Sequence, residues 1–159
     1  SMGPLINGGR VKEMDGIVSA AVKAGAKIAH GGAPSASFNK GFFFEPTVLT
    51  DCTDDMKAMA EENFGPIAAI TRFSTDDEAL ARANSTDMGL SAYVFTSSPV
   101  RARRTVAELK AGMVGINSFA MAASEAPFGG TNFAGMGREG GVEGIRDYLD
   151  VKSSQVVWA

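Results

Sequence analysis

The sequence has 159 residues, 45% of them hydrophobic and 21% charged, which suits one soluble globular domain with its own core. A net charge of −3 argues against nucleic acid or a membrane surface as partner, and no apolar run approaches the roughly 20 residues of a membrane span. A single cysteine excludes an internal disulfide, and one cysteine with one histidine gives too few ligands for a His/Cys zinc site.

Local patterns before residue 75 predict two helices and three extended segments. Apolar residues spaced three and four apart predict an amphipathic helix from Arg10, which Gly25 ends. The almost continuously apolar run at 66–73 predicts a strand buried on both faces. The predicted elements are a helix over 10–26, a strand over 27–30, an extended segment over 41–50 interrupted by Pro46, a short helix over 54–62 and the strand over 66–73.

The second half of the chain alternates strands and helices before a glycine-rich loop. Thr75 and Glu78 form a capping box that opens a helix. The predicted elements are helices over 75–84 and 99–109, a turn at 88–89, strands over 91–96 and 113–117, a short helix over 141–150 and a final strand over 153–158. This order predicts an α/β fold: a mainly parallel open sheet with covering helices, a Gly-rich loop and a C-terminal β tail.

The glycine-rich loop contains a pattern typical of dinucleotide binding. Gly135, Gly137 and Gly140 fit G-x-G-x-x-G, the spacing that cradles a pyrophosphate. A functional copy follows a strand, opens a helix and has an acidic residue about 20 positions later. No apolar strand precedes these glycines, and Asp150 is too near to be that acidic residue. We therefore interpret the glycines as structural residues that permit tight turns.

Five blocks of the sequence together resemble the carboxy-terminal third of an aldehyde dehydrogenase. The blocks are GPL at residue 3, EENFGPI at 61–67, GLSAYVFT at 89–96, AGMVGIN at 111–117 and PFGGTNFAGMGREGG at 127–141. They occur in that family's order and spacing from Gly3 onward. The ending REGGVEGIRDYLDVK is most similar to the succinate-semialdehyde dehydrogenase branch, which makes succinate semialdehyde a candidate substrate.

The resemblance implies an oxidoreductase that uses NAD or NADP to convert an aldehyde to a carboxylic acid. In that family a cysteine thiolate attacks the carbonyl, and the cysteine, the water-activating glutamate and the nucleotide-binding fold all precede the matched region. Cys52 is a poor substitute because Asp51, Asp54 and Asp55 surround it, and negative neighbours disfavour a thiolate. We therefore expect no catalytic residue in this chain and no activity from the chain alone.

The resemblance also implies two cofactor-binding residues. Glu62 matches the glutamate that accepts hydrogen bonds from the nicotinamide-side ribose hydroxyls, and Phe64 matches the aromatic residue beside the nicotinamide. A carboxylate suits the first role because its two oxygens can accept from both hydroxyls. On the residues alone, the alternative is that Glu62 is a solvated acid at a helix end and Phe64 is part of the core.

The segment 118–128 matches the loop that lines the family's aldehyde channel. The predicted channel residues are Ala120, Ala122, Ser124 and Phe128. Succinate-semialdehyde dehydrogenases usually carry a serine at the position of Ala122, and here Ser124 is the nearby hydroxyl. Small side chains predict a roomy pocket, because pocket volume sets which substrates enter. The alternative is a flexible, alanine-rich surface loop.

The resemblance divides the chain into three regions. Residues 1–2 look like a tag remnant, 3–151 form the end of the catalytic domain, and 152–159 form a terminal strand that joins a partner subunit's sheet. The expected assembly is a homo-oligomer, a dimer or tetramer, and the lone cysteine and missing secretory signal favour the cytoplasm. The alternative is a stand-alone, non-catalytic α/β module that binds a partner through the same loop and tail.

Overall fold

A computed structural model describes residues 2–38 and 40–158, so Ser1 of the expected tag remnant and Ala159 of the expected terminal strand lie outside the described residues. The chain forms two compact units, residues 1–74 (unit 1) and 75–159 (unit 2). Both mix helices and strands, which confirms the α/β class. Within the described ranges, no helix is long and apolar enough to cross a membrane.

Unit 1 consists of one long helix and a small mixed sheet. Its elements are α1 (Gly8–Lys23), β1 (Lys27–His30), β2 (Thr47–Thr50), α2 (Lys57–Ala60) and β3 (Ile67–Ala69). Strand β2 lies in the middle, antiparallel to β1 and parallel to β3. The Asn7 side chain accepts a hydrogen bond from the backbone N–H of Arg10 and so caps α1. The helix ends before Gly25, whose φ of 110° suits glycine.

The core of unit 1 lies under one face of α1. Met14, Ile17, Val18 and Ala21 recur at helical spacing and are buried, and Met14 and the β2 residue Leu49 are the largest fully buried side chains. Val22 continues the three-and-four spacing of apolar residues but is exposed, whereas Ile17 is buried in the core.

Unit 2 contains the parallel strand–helix–strand arrangement predicted from the sequence. Its elements are α3 (Asp76–Ala83), β4 (Met88–Gly89), β5 (Ser91–Val94), α4 (Pro99–Glu108), β6 (Met113–Ile116), β7 (Thr131–Asn132) and a 3₁₀ helix (Gly144–Tyr148). Strands β5 and β6 pair in parallel with α4 between them, whereas β4 and β7 pair antiparallel. Thr75 and Ser98 cap α3 and α4 through their side-chain oxygens.

The expectation of a mainly parallel open sheet is supported only loosely, because the sheets are small and mixed. Among the described residues the strands form three small sheets, in which the β2–β3 and β5–β6 pairings are parallel and the β1–β2 and β4–β7 pairings are antiparallel. The apolar run at 66–73 supplies only β3, which is not buried on both faces because it lies at the edge of its sheet. Met88 and Gly89 form a strand rather than a turn, because β7 pairs with them.

Three other expected elements are shorter than predicted or absent. The helix predicted over 54–62 is reduced to Lys57–Ala60, since Thr53 and Asp55 form a side-chain hydrogen bond in a preceding turn. The helix predicted over 141–150 is the short 3₁₀ helix. Residues 151–158 are exposed and form neither helix nor strand in this single chain, so the terminal strand, which was expected to pair with a partner subunit, stays a prediction. Isolated strands lack the partner that satisfies their backbone groups.

Candidate functional site

The segment after α2 presents an acidic and an aromatic side chain to solvent. Glu62 is exposed, and Phe64 is 78% exposed, so the alternative that Phe64 belongs to the core is wrong for this chain. The backbone of Phe64 has a φ of 43°, in the left-handed region that bulky residues seldom occupy. This short segment therefore offers a carboxylate and an apolar ring at one exposed place in unit 1.

A second site begins where strand β6 ends in unit 2. Asn117 follows β6 with a φ of 54°, and its side-chain amide binds the backbone of Thr96 twice. The amide oxygen accepts from the Thr96 N–H at 2.8 Å and the amide nitrogen donates to the Thr96 carbonyl at 2.9 Å. These bonds fix the point at which the loop 118–128 leaves the parallel strand pair.

This loop forms one wall of an open surface cavity of about 450 Å³, whose lining residues are all exposed to solvent. The lining residues are Ala122, Ala123, Ser124, Phe128, Glu139 and Gly140. Three of the four predicted channel residues thus come together, whereas Ala120 is outside the lining and its N–H donates to the Ser118 hydroxyl at 3.0 Å. The volume is within the range of small-molecule pockets.

Backbone pairing joins the two walls of the cavity. Phe128 and Glu139 exchange N–H to carbonyl bonds of 2.7 and 2.8 Å, and the Gly141 N–H donates to the Ser124 carbonyl at 2.9 Å. Gly140 has a φ of 67°, and a β-carbon there would lie 2.9 Å from the Ala126 carbonyl oxygen. Glycine at this position therefore has the structural role that the sequence predicted.

Glu139 is the charged cavity residue that the sequence did not identify as part of the channel. The neighbouring Arg138 guanidinium donates to the carbonyls of Gly130 at 2.8 Å and Gly137 at 2.6 Å. Adjacent residues in an extended chain point to opposite sides. Because the Arg138 side chain is directed to the glycine carbonyls on one side, the Glu139 side chain lies on the other side, which is the side of the cavity. The isolated bridge between Phe128 and Glu139 is the local extended structure that produces this alternation.

The structure supplies no exposed thiol for chemistry on an aldehyde. Cys52 is buried in the core of unit 1, and its N–H donates to the Ile70 carbonyl at 3.2 Å. Over residues 2–38 and 40–158, no three His, Cys, Asp or Glu side chains group closely enough to hold a metal ion. The described residues can therefore form walls and hydrogen bonds but present no accessible cysteine nucleophile.

Comparison with known proteins gives consistent matches along almost the whole chain. Residues 1–154 match the model of the aldehyde dehydrogenase family. The chain is 43% identical to 3-sulfolactaldehyde dehydrogenase from Pseudomonas putida, over 96% of this chain and 31% of that protein. It is 44% identical to a probable NADP(+) succinate-semialdehyde dehydrogenase from Sinorhizobium fredii, over 96% of this chain and 30% of that protein.

A solved structure gives the same extent of similarity. Betaine aldehyde dehydrogenase from Staphylococcus aureus, in complex with NAD+, superposes with a TM-score of 0.87 at 38% identity, covering 94% of this chain and 30% of that one. The chain therefore spans about a third of the length of the relatives that it matches.

Proposed function

The chain belongs to the aldehyde dehydrogenase family, and on that premise we propose that it is the carboxy-terminal part of an NAD(P)-dependent enzyme that oxidises an aldehyde to a carboxylic acid. The observation that carries the proposal is the cavity in unit 2, because it brings together Ala122, Ser124 and Phe128, the residues that the resemblance assigns to the aldehyde channel. In this proposal residues 3–151 complete the catalytic domain and residues 152–159 form an oligomerisation arm.

The segment 61–64 fits the nicotinamide end of NAD or NADP. Glu62 is exposed, so its two carboxylate oxygens are free to accept from a pair of ribose hydroxyls. The exposed ring of Phe64 offers an apolar face that would restrict the orientation of a neighbouring flat ring. When bound, the cofactor supplies the hydride acceptor of the oxidation.

We propose succinate semialdehyde as the first substrate to test. Ser124 lies in the same cavity wall as Ala122, so its hydroxyl is placed to donate a hydrogen bond to a substrate carboxylate where relatives use a serine at position 122. Small side chains at 122 and 123 leave space in the cavity for longer aldehydes as well.

The chain alone should be inactive. Thioester formation needs an exposed thiolate, and the single cysteine of the sequence, Cys52, is buried in the core of unit 1. The longer enzyme supplies the nucleophile in this proposal, and a reducing cytoplasm would keep it active. The exposed residues Val156, Val157 and Trp158 would pair with a sheet edge of a partner subunit in a dimer or tetramer.

The decisive experiment compares two neighbouring glutamates in the longer enzyme. Glu62→Gln should slow single-turnover hydride transfer about tenfold, because a neutral amide accepts more weakly from ribose hydroxyls than a charged carboxylate. Glu61→Gln is the matched control, since Glu61 is an exposed neighbour that pairs with Lys57 at 3.5 Å. NADH formation followed by absorbance measures both variants. Equal rates for the two would contradict the cofactor role, and turnover by the isolated chain would contradict the need for a further nucleophile.

A further inference from the structure

Arg10 joins the first turn of α1 to the segment that carries Glu62 and Phe64. Its guanidinium Nη2 donates to the backbone carbonyls of Asn63 and Phe64, with 2.9 Å to the second. These partners lie more than 50 positions away in the sequence. The Arg10 side chain is only 23% exposed, and its Nη1 donates to the Glu13 carboxylate at 2.5 Å. Both ends of the guanidinium are therefore engaged, which restricts its position.

The backbone of Arg10 is as well fixed as its side chain. The Arg10 N–H donates to the capping oxygen of Asn7 at 3.0 Å, so the residue is anchored in the first helical turn. Four residues further on, Met14 is fully buried. A β-carbon at Gly65 would collide with the Met14 sulfur, so Gly65 packs directly against this helix. Helix α1 therefore contacts the segment on both sides of Phe64.

The segment itself has a conformation that needs external support. Phe64 has a positive φ, which a bulky residue keeps only where its surroundings determine it. Inside the segment, the Asn63 side chain donates to the Ala58 carbonyl at 2.9 Å. Two successive carbonyls, those of Asn63 and Phe64, accept from the Arg10 guanidinium next to this strained backbone.

We propose that Arg10 is a positioning residue that holds Glu62 and Phe64 in the orientation that receives the nicotinamide end of the cofactor. The inference rests on the proposed function, which assigns the cofactor contacts to these two residues. Arg10 acts through the backbone of 63–64 and does not itself touch the cofactor. Its removal should loosen the segment and weaken cofactor binding while leaving the aldehyde cavity of unit 2 unaltered.

The first experiment measures the support directly in the 159-residue chain. Hydrogen exchange followed by mass spectrometry should show the amides of Glu61 and Ile67, which are hydrogen-bonded on either side of the segment, exchanging about tenfold faster in Arg10→Ala than in the unaltered chain. Lys12→Ala is the matched control, because it removes an exposed positive charge from the same helix. Arg10→Lys should restore part of the protection, since an ammonium can donate to one of the two carbonyls but lacks the several N–H donors of the planar guanidinium. Unchanged exchange at Glu61 and Ile67 in Arg10→Ala would overturn the inference.

The second experiment measures cofactor binding in the longer enzyme. Calorimetry with NAD+ and NADP+ should give a dissociation constant about tenfold higher in Arg10→Ala, and the KM for cofactor should rise while the KM for aldehyde stays the same. If Arg10→Ala does not fold by circular dichroism, Arg10→Lys and Arg10→Gln carry the same comparison. Equal rises in both KM values would indicate general disruption and overturn the inference.

Glu62→Gln, measured in parallel, separates the inference from the proposed function. Weaker binding in both Glu62→Gln and Arg10→Ala supports both. Weaker binding in Glu62→Gln alone overturns the role of Arg10 and leaves the proposed function standing. Unaltered binding in both variants overturns the cofactor role of 62–64 itself, whatever the exchange experiment shows for the contact.

Discussion

The two units differ in how they bury hydrophobic side chains. Of the buried hydrophobic residues among those described, all but Leu80 and Met113 lie in unit 1. Both units expose aromatic side chains, but unit 2 exposes more large hydrophobic side chains than unit 1, and its Tyr93, Phe95 and Phe119 make ring contacts at 5.1 Å. Unit 1 thus has a core of its own, whereas unit 2 presents apolar surface of the kind that another polypeptide segment or subunit covers.

This difference matches the roles that we propose for the two units. Unit 1 uses its core to fix helix α1 and, through Arg10, the segment with Glu62 and Phe64. Unit 2 contributes the cavity and the exposed tail, which depend on contacts beyond this chain in the proposed enzyme. Stability should therefore depend mainly on unit 1, and substrate preference mainly on unit 2.

The largest effect should come from the core of unit 1. Leu49→Ala should lower the free energy of unfolding by about 3–4 kcal/mol, because Leu49 is fully buried and its truncation leaves a cavity. Leu149→Ala in unit 2 is the matched control, since Leu149 is exposed, and it should change stability by less than about 0.5 kcal/mol. Urea unfolding measures both. Similar losses in the two variants would erase the contrast between the units.

Unit 2 has few buried hydrophobic side chains, but its backbone is closely packed at Gly112. Gly112→Ala should cost about 2 kcal/mol, because a β-carbon at Gly112 would collide with the Gly129 carbonyl oxygen. The same substitution at Gly16 should stabilise the chain by about 0.5–1 kcal/mol, since Gly16 lies in α1 with open space around its added β-carbon. Thermal unfolding tests the opposite signs, and a shared sign would contradict the prediction.

Substitution in the cavity of unit 2 should alter substrate preference more than stability. In the longer enzyme, Ala122→Phe should lower kcat/KM for bulky aldehydes about tenfold, or about 1.4 kcal/mol, because the larger ring fills the cavity. Steady-state rates with short and bulky aldehydes measure the change. Ala120→Phe is the control, since Ala120 lies outside the cavity lining. Unaltered preference in Ala122→Phe would remove this residue from the channel.

Loss of a helix cap should lower the free energy of unfolding by a smaller amount, and by a similar amount in the two units. Thr75→Ala should cost about 1 kcal/mol, because the Thr75 hydroxyl oxygen accepts from the Glu78 N–H at 3.1 Å at the start of α3. Asn7→Ala, which removes the cap of α1, should cost a similar amount. Thr75→Asp should retain most of the stability in urea unfolding. Full loss in Thr75→Asp would show that the cap is not the cause.

The smallest effect should come from the exposed ion pair between Lys27 and Asp51, whose Nζ and Oδ2 atoms are 2.9 Å apart. The hydrogen bond from Lys27 and its charge lower the pKa of Asp51. The stabilisation is therefore present above the unfolded-state pKa of about 4 and is lost as the pH falls. The same contact raises the pKa of Lys27, so its contribution is complete below about 10 and is lost as the pH rises through the folded-state pKa.

Urea midpoints across pH test this sign. Lys27→Met should differ slightly from the unaltered chain at neutral pH and low salt, and the difference should vanish in acid, in strong base and at high salt. Lys12→Met, at another exposed lysine, serves as the control. A difference that persists in acid would contradict the assignment to this pair.

Local signals in the sequence predicted the parts of the fold that depend on neighbours along the chain. The capping residue Thr75, the proline at position 99 and the helical spacing from Arg10 predicted the positions of α3, α4 and α1 closely. The pairing of strands was not predictable in this way, because β4 becomes a strand only through β7, about 40 positions later. The terminal residues 151–158 have strand-forming side chains but no partner in this chain.

In the candidate site, too, some residues were predicted from the sequence, whereas those that depend on distant contacts were missed. Resemblance identified Ala122, Ser124 and Phe128, and the structure brings these three together. Glu139 was missed because its direction depends on backbone pairing with Phe128, which no local pattern indicates. The contacts of Arg10 were missed for the same reason, since they join residues more than 50 positions apart.

The burial of Cys52 gives the chain an internal reporter of opening. Because this thiol is the only one in the sequence and lies in the core of unit 1, a thiol reagent can modify it only when that core is transiently exposed. The labelling rate therefore measures the opening of unit 1 and ignores local fluctuations of unit 2. Comparing that rate with global unfolding would show whether the two units open together or separately.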